Sequence, residues 1–151
     1  MKYKGFFEEN ILGTPPKQHV QDINIYICKV NTQILSIVGD GLDLYRIYLP
    51  SKALKHTYDK RSSTILEFID YLHPTLSSPE KILSNDKETE FLFCKQLDYL
   101  QNKSLFCPVG VTNHNDKIVL SCSSFFVGKN SYGNNKKRPI LWSGEDGESP
   151  S

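Results

Sequence analysis

The chain has 151 residues, of which 38% are hydrophobic and 23% charged, and its formal net charge is +1. This composition predicts one ordinary globular domain, large enough to form a core without metal ions or disulfides. The small net charge excludes a global field that would attract nucleic acid or an anionic membrane, so electrostatic steering requires local patches. No apolar run approaches the ~18 residues needed to cross a bilayer, and we expect no membrane partner.

The four cysteines are far apart and form no C-x-x-C pair. This spacing argues against a zinc knuckle or a thioredoxin-type redox motif. Each cysteine lies in an apolar run, which is typical of buried, reduced thiols. The first residues, MKYKGFFEENILGTPP, carry two glutamates where a secretory signal would be apolar. We therefore expect a cytoplasmic protein in a reducing compartment, and we assign it no cofactor.

In chain order, residues 1–22 are expected to be a lead-in segment that packs a few side chains onto the domain. Residues 23–127 are expected to form a single α+β domain, and residues 128–151 a polar, basic extension with little packing of its own.

The domain opens with a pattern of period two, in which isoleucines alternate with polar or smaller side chains from Ile23. Such alternation predicts strands. We expect a three-strand meander over about 23–30, 33–38 and 42–49, with Gly-Asp-Gly at 39–41 forming a turn. Pro50 ends the third strand because it has no amide hydrogen for the ladder.

Two main helices are predicted after Pro50. Ser51 is expected to cap a short helical turn, and Thr64 with Glu67 has capping-box spacing ahead of a helix that ends at His73-Pro74. A longer helix is predicted from Asn85 to about Asn102. Its buried edge would contain Phe93, Leu97 and Leu100.

A hairpin follows, with strands over 105–111 and 117–127. One face of the first strand would carry Leu105, Cys107, Val109 and Val111, and one face of the second would carry Ile118, Leu120, Cys122 and Phe126. Pro108 and Gly110 predict that the first strand lies at a sheet edge or carries a bulge. The predicted fold is therefore one antiparallel sheet of about five strands with the helices on one face.

The residues between these strands, 113–116, have two interpretations. Asn, His and Asp are typical of a hairpin loop, and this is the interpretation we prefer. The alternative is a small metal-dependent hydrolase or nuclease that uses His114 and Asp116, although two ligands are fewer than a metal site requires. We therefore assign no catalytic residue and no metal ligand.

Charge is distributed unevenly along the chain. Residues 64–100 hold three lysines against seven acids, a balance of −4, whereas residues 103–138 hold six bases against one acid, a balance of +5. These segments can be two solvated faces that complement each other.

The basic segment continues into YGNNKKRPILW, which joins cations to aromatic and apolar side chains. It can bind nucleic acid through Lys129, Lys136, Lys137 and Arg138, or it can dock on a protein surface through its apolar residues. We prefer the protein, because three adjacent bases give only a weak electrostatic attraction. The candidate partner-binding residues in this segment are Tyr132, Lys136, Lys137, Arg138, Ile140, Leu141 and Trp142.

The face of the sheet away from the helices is expected to present Tyr26, Tyr45 and Tyr48, and exposed tyrosines suit contact with another macromolecule. We therefore expect a non-catalytic protein-binding module, such as an accessory subunit or an inhibitor or immunity-type protein within a larger complex. The alternatives are a nucleic-acid-binding accessory protein and the metal-dependent enzyme centred on residues 113–116.

Overall fold

The structure is a computed structural model, and it describes residues 2–31, 34, 46–85, 90–114, 117–130, 132 and 139–144. The helices are α1 (Lys2–Asn10), α2 (Ser51–Lys60), α3 (Ser62–Phe68), a 3₁₀ turn (Ile69–Tyr71) and α4 (Leu72–Ser77). The strands are β1 (Asn24–Lys29), β2 (Arg46–Pro50), β3 (Lys81–Ser84), β4 (Glu90–Gln96), β5 (Lys103–His114), β6 (Lys117–Cys122), β7 (Phe126–Lys129) and β8 (Ile140–Ser143).

Eight strands within the described residues form one sheet in the order β1-β2-β6-β5-β4-β3-β8, and β7 pairs with β5 beside this path. The pairing is antiparallel except between β2 and β6, which run parallel. The predicted α+β class with a mainly antiparallel sheet is confirmed. The predicted number of about five strands is wrong, and the second strand of the expected meander, 33–38, lies outside the described residues except for Ile34.

The predicted helix over 85–102 is wrong, because β4 occupies Glu90–Gln96. Four consecutive residues from Phe91 to Cys94 are buried, and they point alternately to the two faces of the sheet. A strand that is buried on both faces has an unbroken apolar run instead of alternating apolar and polar residues. Such a run is also compatible with a helix, and the helix prediction followed from it. Phe93 and Leu97 are buried as predicted, but Phe93 lies in strand β4 and Leu97 directly follows this strand.

His73-Pro74 does not stop the helical region, which continues to Ser77. The break comes earlier, at Phe68 with φ −115° and ψ 3°, and α4 then begins at Leu72. Pro74 therefore lies in the first turn of α4, where no helical partner exists for an amide hydrogen.

Ser51 begins a helix of ten residues rather than a short turn, and its side chain is not the cap. Its hydroxyl donates to the carbonyl of Gln21 at 2.6 Å and accepts from the amide of Ile23 at 2.9 Å. The amide of Ser51 in turn donates to the carbonyl of Ile23 at 2.8 Å. The start of α2 is thereby fastened to the start of β1.

β5 is a central strand, so the prediction that Pro108 and Gly110 mark an edge is wrong. It pairs with β4 on one side, and on the other with β7 over Lys103–Phe106 and with β6 over Val109–His114. Pro108 lies in the gap between these two ladders, where its carbonyl accepts from the Ser123 amide at 3.0 Å. The missing amide hydrogen is tolerated there, because neither β6 nor β7 pairs with Pro108 on that side of β5.

The hairpin of β5 and β6 confirms the predicted antiparallel pair, with His114 opposite Lys117. Residues 115 and 116 lie outside the described part. Leu105, Cys107 and Val109 are fully buried and Val111 partly, as predicted, and so are Leu120 and Cys122. Ile118 is instead 46% exposed. Phe126 belongs to the other face, because the chain leaves the sheet at 123–125.

The main core lies between the helices and one face of the sheet, and it includes α1. Tyr3, Phe7 and Ile11 are almost completely buried in it. The opposite face carries a smaller cluster, formed by Leu83, Leu92, Cys94 and Phe106 with Phe126 and Tyr132 packed against it. The division of the chain at residues 22 and 127 stays a prediction.

Candidate partner-binding surfaces

The predicted ILW anchor forms β8, the terminal strand of the sheet path. It pairs antiparallel with β3, with Ser143 opposite Lys81, Trp142 opposite Ile82 and Ile140 opposite Leu83. The register shifts between the last two pairs, so Leu141 is an extra residue in a bulge. Two further main-chain hydrogen bonds extend the ladder at its ends. The Ser84 amide donates to the Pro139 carbonyl, and the Gly144 amide donates to the Glu80 carbonyl.

The three apolar residues of β8 have different environments. Trp142 packs against the main core and is partly buried. Ile140 and Leu141 remain 50% and 42% exposed. The sequence alone could not predict which of these three side chains is buried, because their burial depends on the register between β8 and β3.

Tyr26 and Tyr48 form a pair on the sheet face away from the helices. They are direct cross-strand partners of β1 and β2, and their ring centroids lie 5.7 Å apart in an edge-to-face arrangement. Tyr26 is 39% exposed and Tyr48 is half-buried. The period-two pattern thus places both on the predicted face, while Tyr45 lies outside the described residues.

Tyr132 lies against its own sheet, with its ring 5.0 Å from that of Phe106 and 5.5 Å from that of Phe126. Among the predicted basic residues, Lys129 is exposed on β7, opposite Lys103 of β5. Lys136, Lys137 and Arg138 lie outside the described part of the chain. Partner contacts by these residues stay predictions.

A cleft of about 990 Å³ opens where the starts of β1 and α2 meet β5 and β6. The Thr112 and Ser121 hydroxyls in its lining share a hydrogen bond of 2.8 Å. Asn24 also lines the cleft, and its side-chain oxygen is buried without a hydrogen-bond partner. Leaving such an acceptor unpaired costs about 1–3 kcal/mol. The charged residues of the lining are Asp22, Lys52 and Glu90.

All three of these charged residues already have partners. Lys52 forms an ion pair with Asp22 at 3.2 Å, with both side chains well exposed. A carboxylate oxygen of Glu90 accepts from the Asn85 amide group at 2.7 Å. The cleft therefore has a mixed, largely internally satisfied polar lining.

The hairpin end holds no cluster of metal ligands within the part of the chain that the structure describes, where no three His, Cys, Asp or Glu side chains come together. Asn113 is on the exposed end of β5 and lines the cleft. The backbone of His114 ends the strand, and Asp116 lies outside the described residues.

The thiols of all four cysteines are buried and unpaired in disulfides. Burial raises the pKa of Cys28 and of Cys94 to about 12. Burial also raises the pKa of Cys107, and a hydrogen bond with Cys122 adds to the increase. The raised pKa values favour the protonated form of Cys28, Cys94 and Cys107 at neutral pH, and a protonated thiol is a poor nucleophile.

A further aromatic group was missed by the sequence analysis. Phe68, Tyr71 and Tyr99 come together at the tip of the β4–β5 hairpin, and both tyrosines are exposed. The residues that meet here are separated by about thirty positions in sequence, so only the acidic balance of residues 64–100 pointed to this region.

Comparisons with protein-family models, curated proteins and solved structures found no significant match to this chain. None of the helices in the described residues has the length and apolar character needed to span a membrane.

Proposed function

We propose that the protein is a non-catalytic protein-binding module, an accessory subunit or inhibitor that pairs the edge of β8 with an extended segment of its partner. The observation that carries this proposal is the exposure of Ile140 (50%) and Leu141 (42%) on the terminal strand of the sheet path.

The backbone supports this mode of binding. A terminal strand offers amide and carbonyl groups to an added strand, and the partner's main chain supplies the complementary groups. Apolar side chains on such a strand favour aggregation unless they are covered, so exposed Ile140 and Leu141 suit a surface that has a partner.

Anchoring by Trp142 supports it as well. Because Trp142 packs on the main core, β8 is held in place before a partner arrives. A preformed strand loses less conformational entropy on binding than a disordered tail would lose. The Tyr26–Tyr48 pair lies on β1 and β2, at the opposite end of the sheet path, and offers a second contact of the aromatic type enriched at interfaces.

The test is affinity purification of the tagged full-length chain from its native host, comparing wild type with the double variant Ile140→Ser/Leu141→Ser. We expect a protein at near-equal stoichiometry with the wild type and its loss from the double variant. Both side chains are exposed, so the melting temperature of the variant should stay close to that of the wild type.

Leu12→Ser is the matched control, because Leu12 is also a large exposed apolar residue, at 45%, but follows α1. It should retain the partner. A wild-type chain that purifies as a lone monomer, or a partner that both variants retain equally, would contradict the proposal.

A further inference from the structure

Three aromatic rings form a continuous cluster, here called the aromatic platform: Phe68, Tyr71 and Tyr99. Phe68 and Tyr99 are stacked with an interplanar angle of 20° and centroids 6.2 Å apart. The Tyr71 ring lies 5.9 Å from Tyr99 and 6.4 Å from Phe68. Phe68 is buried, whereas Tyr71 and Tyr99 are 37% and 51% exposed. The platform therefore presents two ring surfaces to solvent over a fixed base.

Both sides of the platform are held by the fold. Tyr71 ends the 3₁₀ turn that begins at buried Ile69. Tyr99 lies in the tip of the β4–β5 hairpin, where the Leu97 amide donates to Lys103 at 3.0 Å. Asn102 closes this tip with φ +60°, a conformation that asparagine tolerates better than most residues. The rings are thus arranged before any ligand binds.

Acidic residues are next to the platform residues in the chain. Glu67 and Asp98 precede Phe68 and Tyr99 in the chain, both are exposed, and neither forms an ion pair within the described residues. Asp70 is neutralised by Lys4 at 2.7 Å. The nearby Lys95 points its ammonium to the Ser78 carbonyl at 2.8 Å. Glu67 therefore lacks a cation, and so does Asp98, the residue that precedes Tyr99 in the chain.

Glu67 acts on the platform electrostatically. Partial burial, followed by the negative charge of Glu67, raises the pKa of Tyr99. Negative charge and an aromatic face are thus adjacent at one place on the surface.

We propose that the aromatic platform binds an arginine side chain of a basic segment on a partner protein. A guanidinium is planar, so it stacks on a tyrosine ring while its N–H groups reach Glu67. A lysine ammonium can satisfy the charge but not the stacking. An uncharged apolar partner would leave both carboxylates without a cation. The proposal concerns a surface separate from β8 and does not depend on the proposed function.

The experiment uses the full chain and two probe peptides whose termini are blocked and uncharged. One is acetyl-Gly-Arg-Gly-Arg-Gly-amide, and the other has lysine in place of each arginine. Binding is followed by NMR titration of the backbone and tyrosine ring signals. We expect shifts at Tyr71 and Tyr99 with the arginine peptide, and about three-fold to five-fold weaker binding of the lysine peptide.

Variants separate stacking from charge. Tyr99→Leu removes a ring but keeps an apolar side chain, and Glu67→Gln removes a charge but keeps the shape. Each should weaken binding of the arginine peptide several-fold. Glu9→Gln, which removes an exposed carboxylate on α1, should leave the binding unchanged. Unchanged melting temperatures would show that the variants remain folded.

Equal binding of both peptides, or shifts spread evenly over all acidic residues, would overturn the proposal in favour of unspecific charge attraction. Concentration-dependent dimerisation that Tyr99→Leu abolishes would overturn it in favour of a second copy of the chain. The double variant Ile140→Ser/Leu141→Ser should keep its affinity for the arginine peptide, so failure of one proposal is distinguishable from failure of the other.

Discussion

Ser51 contributes to stability through main-chain groups that lie outside its own helix. Its side chain is completely buried, and its hydroxyl satisfies one carbonyl and one amide from the chain just before β1. The sequence predicted only a short helical turn at Ser51, and it could not predict this contact. The contact depends on the Gln21–Ile23 segment, about thirty positions away in sequence.

We predict that Ser51→Ala lowers the free energy of unfolding by about 1 kcal/mol, because it leaves two partly buried main-chain groups without their hydroxyl partner. Urea denaturation measures the change. Ser63→Ala, at an exposed position of α3, should change stability by no more than ~0.5 kcal/mol. Equal stability of the two variants would show that water replaces the hydroxyl of Ser51.

At the scale of elements, strands with a clear period-two pattern were predictable, whereas β4, which is buried on both faces and lacks this pattern, was not. β1 and β6 were recognised by alternation over Ile25–Ile27 and Leu120–Cys122. β4 has no alternation, because Leu92 packs in the smaller cluster while Phe91 and Phe93 pack in the main core. Asn85 and Glu88 imitate a capping box in the sequence, which strengthened the wrong prediction.

The prolines illustrate the same limit. Pro108 in a central strand is acceptable only because β7 and β6 leave a gap opposite it, and this gap is a property of distant pairing. Local rules therefore misplaced the strand at an edge. The same limit applies to the candidate surfaces. The period-two pattern predicted the sheet face on which Tyr26 lies, but it could not predict the contact between Tyr71 and Tyr99.

For β8, we predict that Trp142→Ala detaches the strand by removing its contact with the main core. The loss should be about 2 kcal/mol, less than the ~3–5 kcal/mol for a fully buried tryptophan, because Trp142 is only partly buried. Urea denaturation and hydrogen exchange of the β3 amides would measure it.

Leu141→Ala is the control for this prediction, because Leu141 is exposed in the same strand. It should leave both stability and exchange nearly unchanged. Unaltered exchange of β3 in Trp142→Ala would mean that main-chain pairing alone holds β8.

For the whole molecule, buried thiol and phenol groups predict how stability depends on pH. Burial raises the pKa of Cys28 and Cys94 from 9.0 to about 12, and that of Tyr3 from 10.0 to about 12. The folded state therefore keeps protons that the unfolded state releases. The resulting stability is fully present below about pH 9 and is lost as the pH rises towards 12.

We predict that the melting temperature falls steadily above pH 9, and that the cysteines react with a thiol reagent only as the chain unfolds. Thermal denaturation at a series of alkaline pH values, with parallel thiol titration, tests both. Cys94→Val should make the alkaline decline shallower. A melting temperature that is constant between pH 9 and 11, or rapid labelling of the folded chain, would contradict the predicted burial.

The parallel pairing of β2 with β6, with Ile47 opposite Leu120, has a consequence for synthesis of the chain. During synthesis on the ribosome, β1 and β2 are made long before β6. In the described sheet, β6 is the strand that lies between β2 and β5, so no strand made earlier takes this place beside β2. The edge of β2 that pairs with β6 stays open until Leu120 has been added to the chain. Nascent or truncated chains that end before Leu120 should therefore depend on chaperones to remain unaggregated.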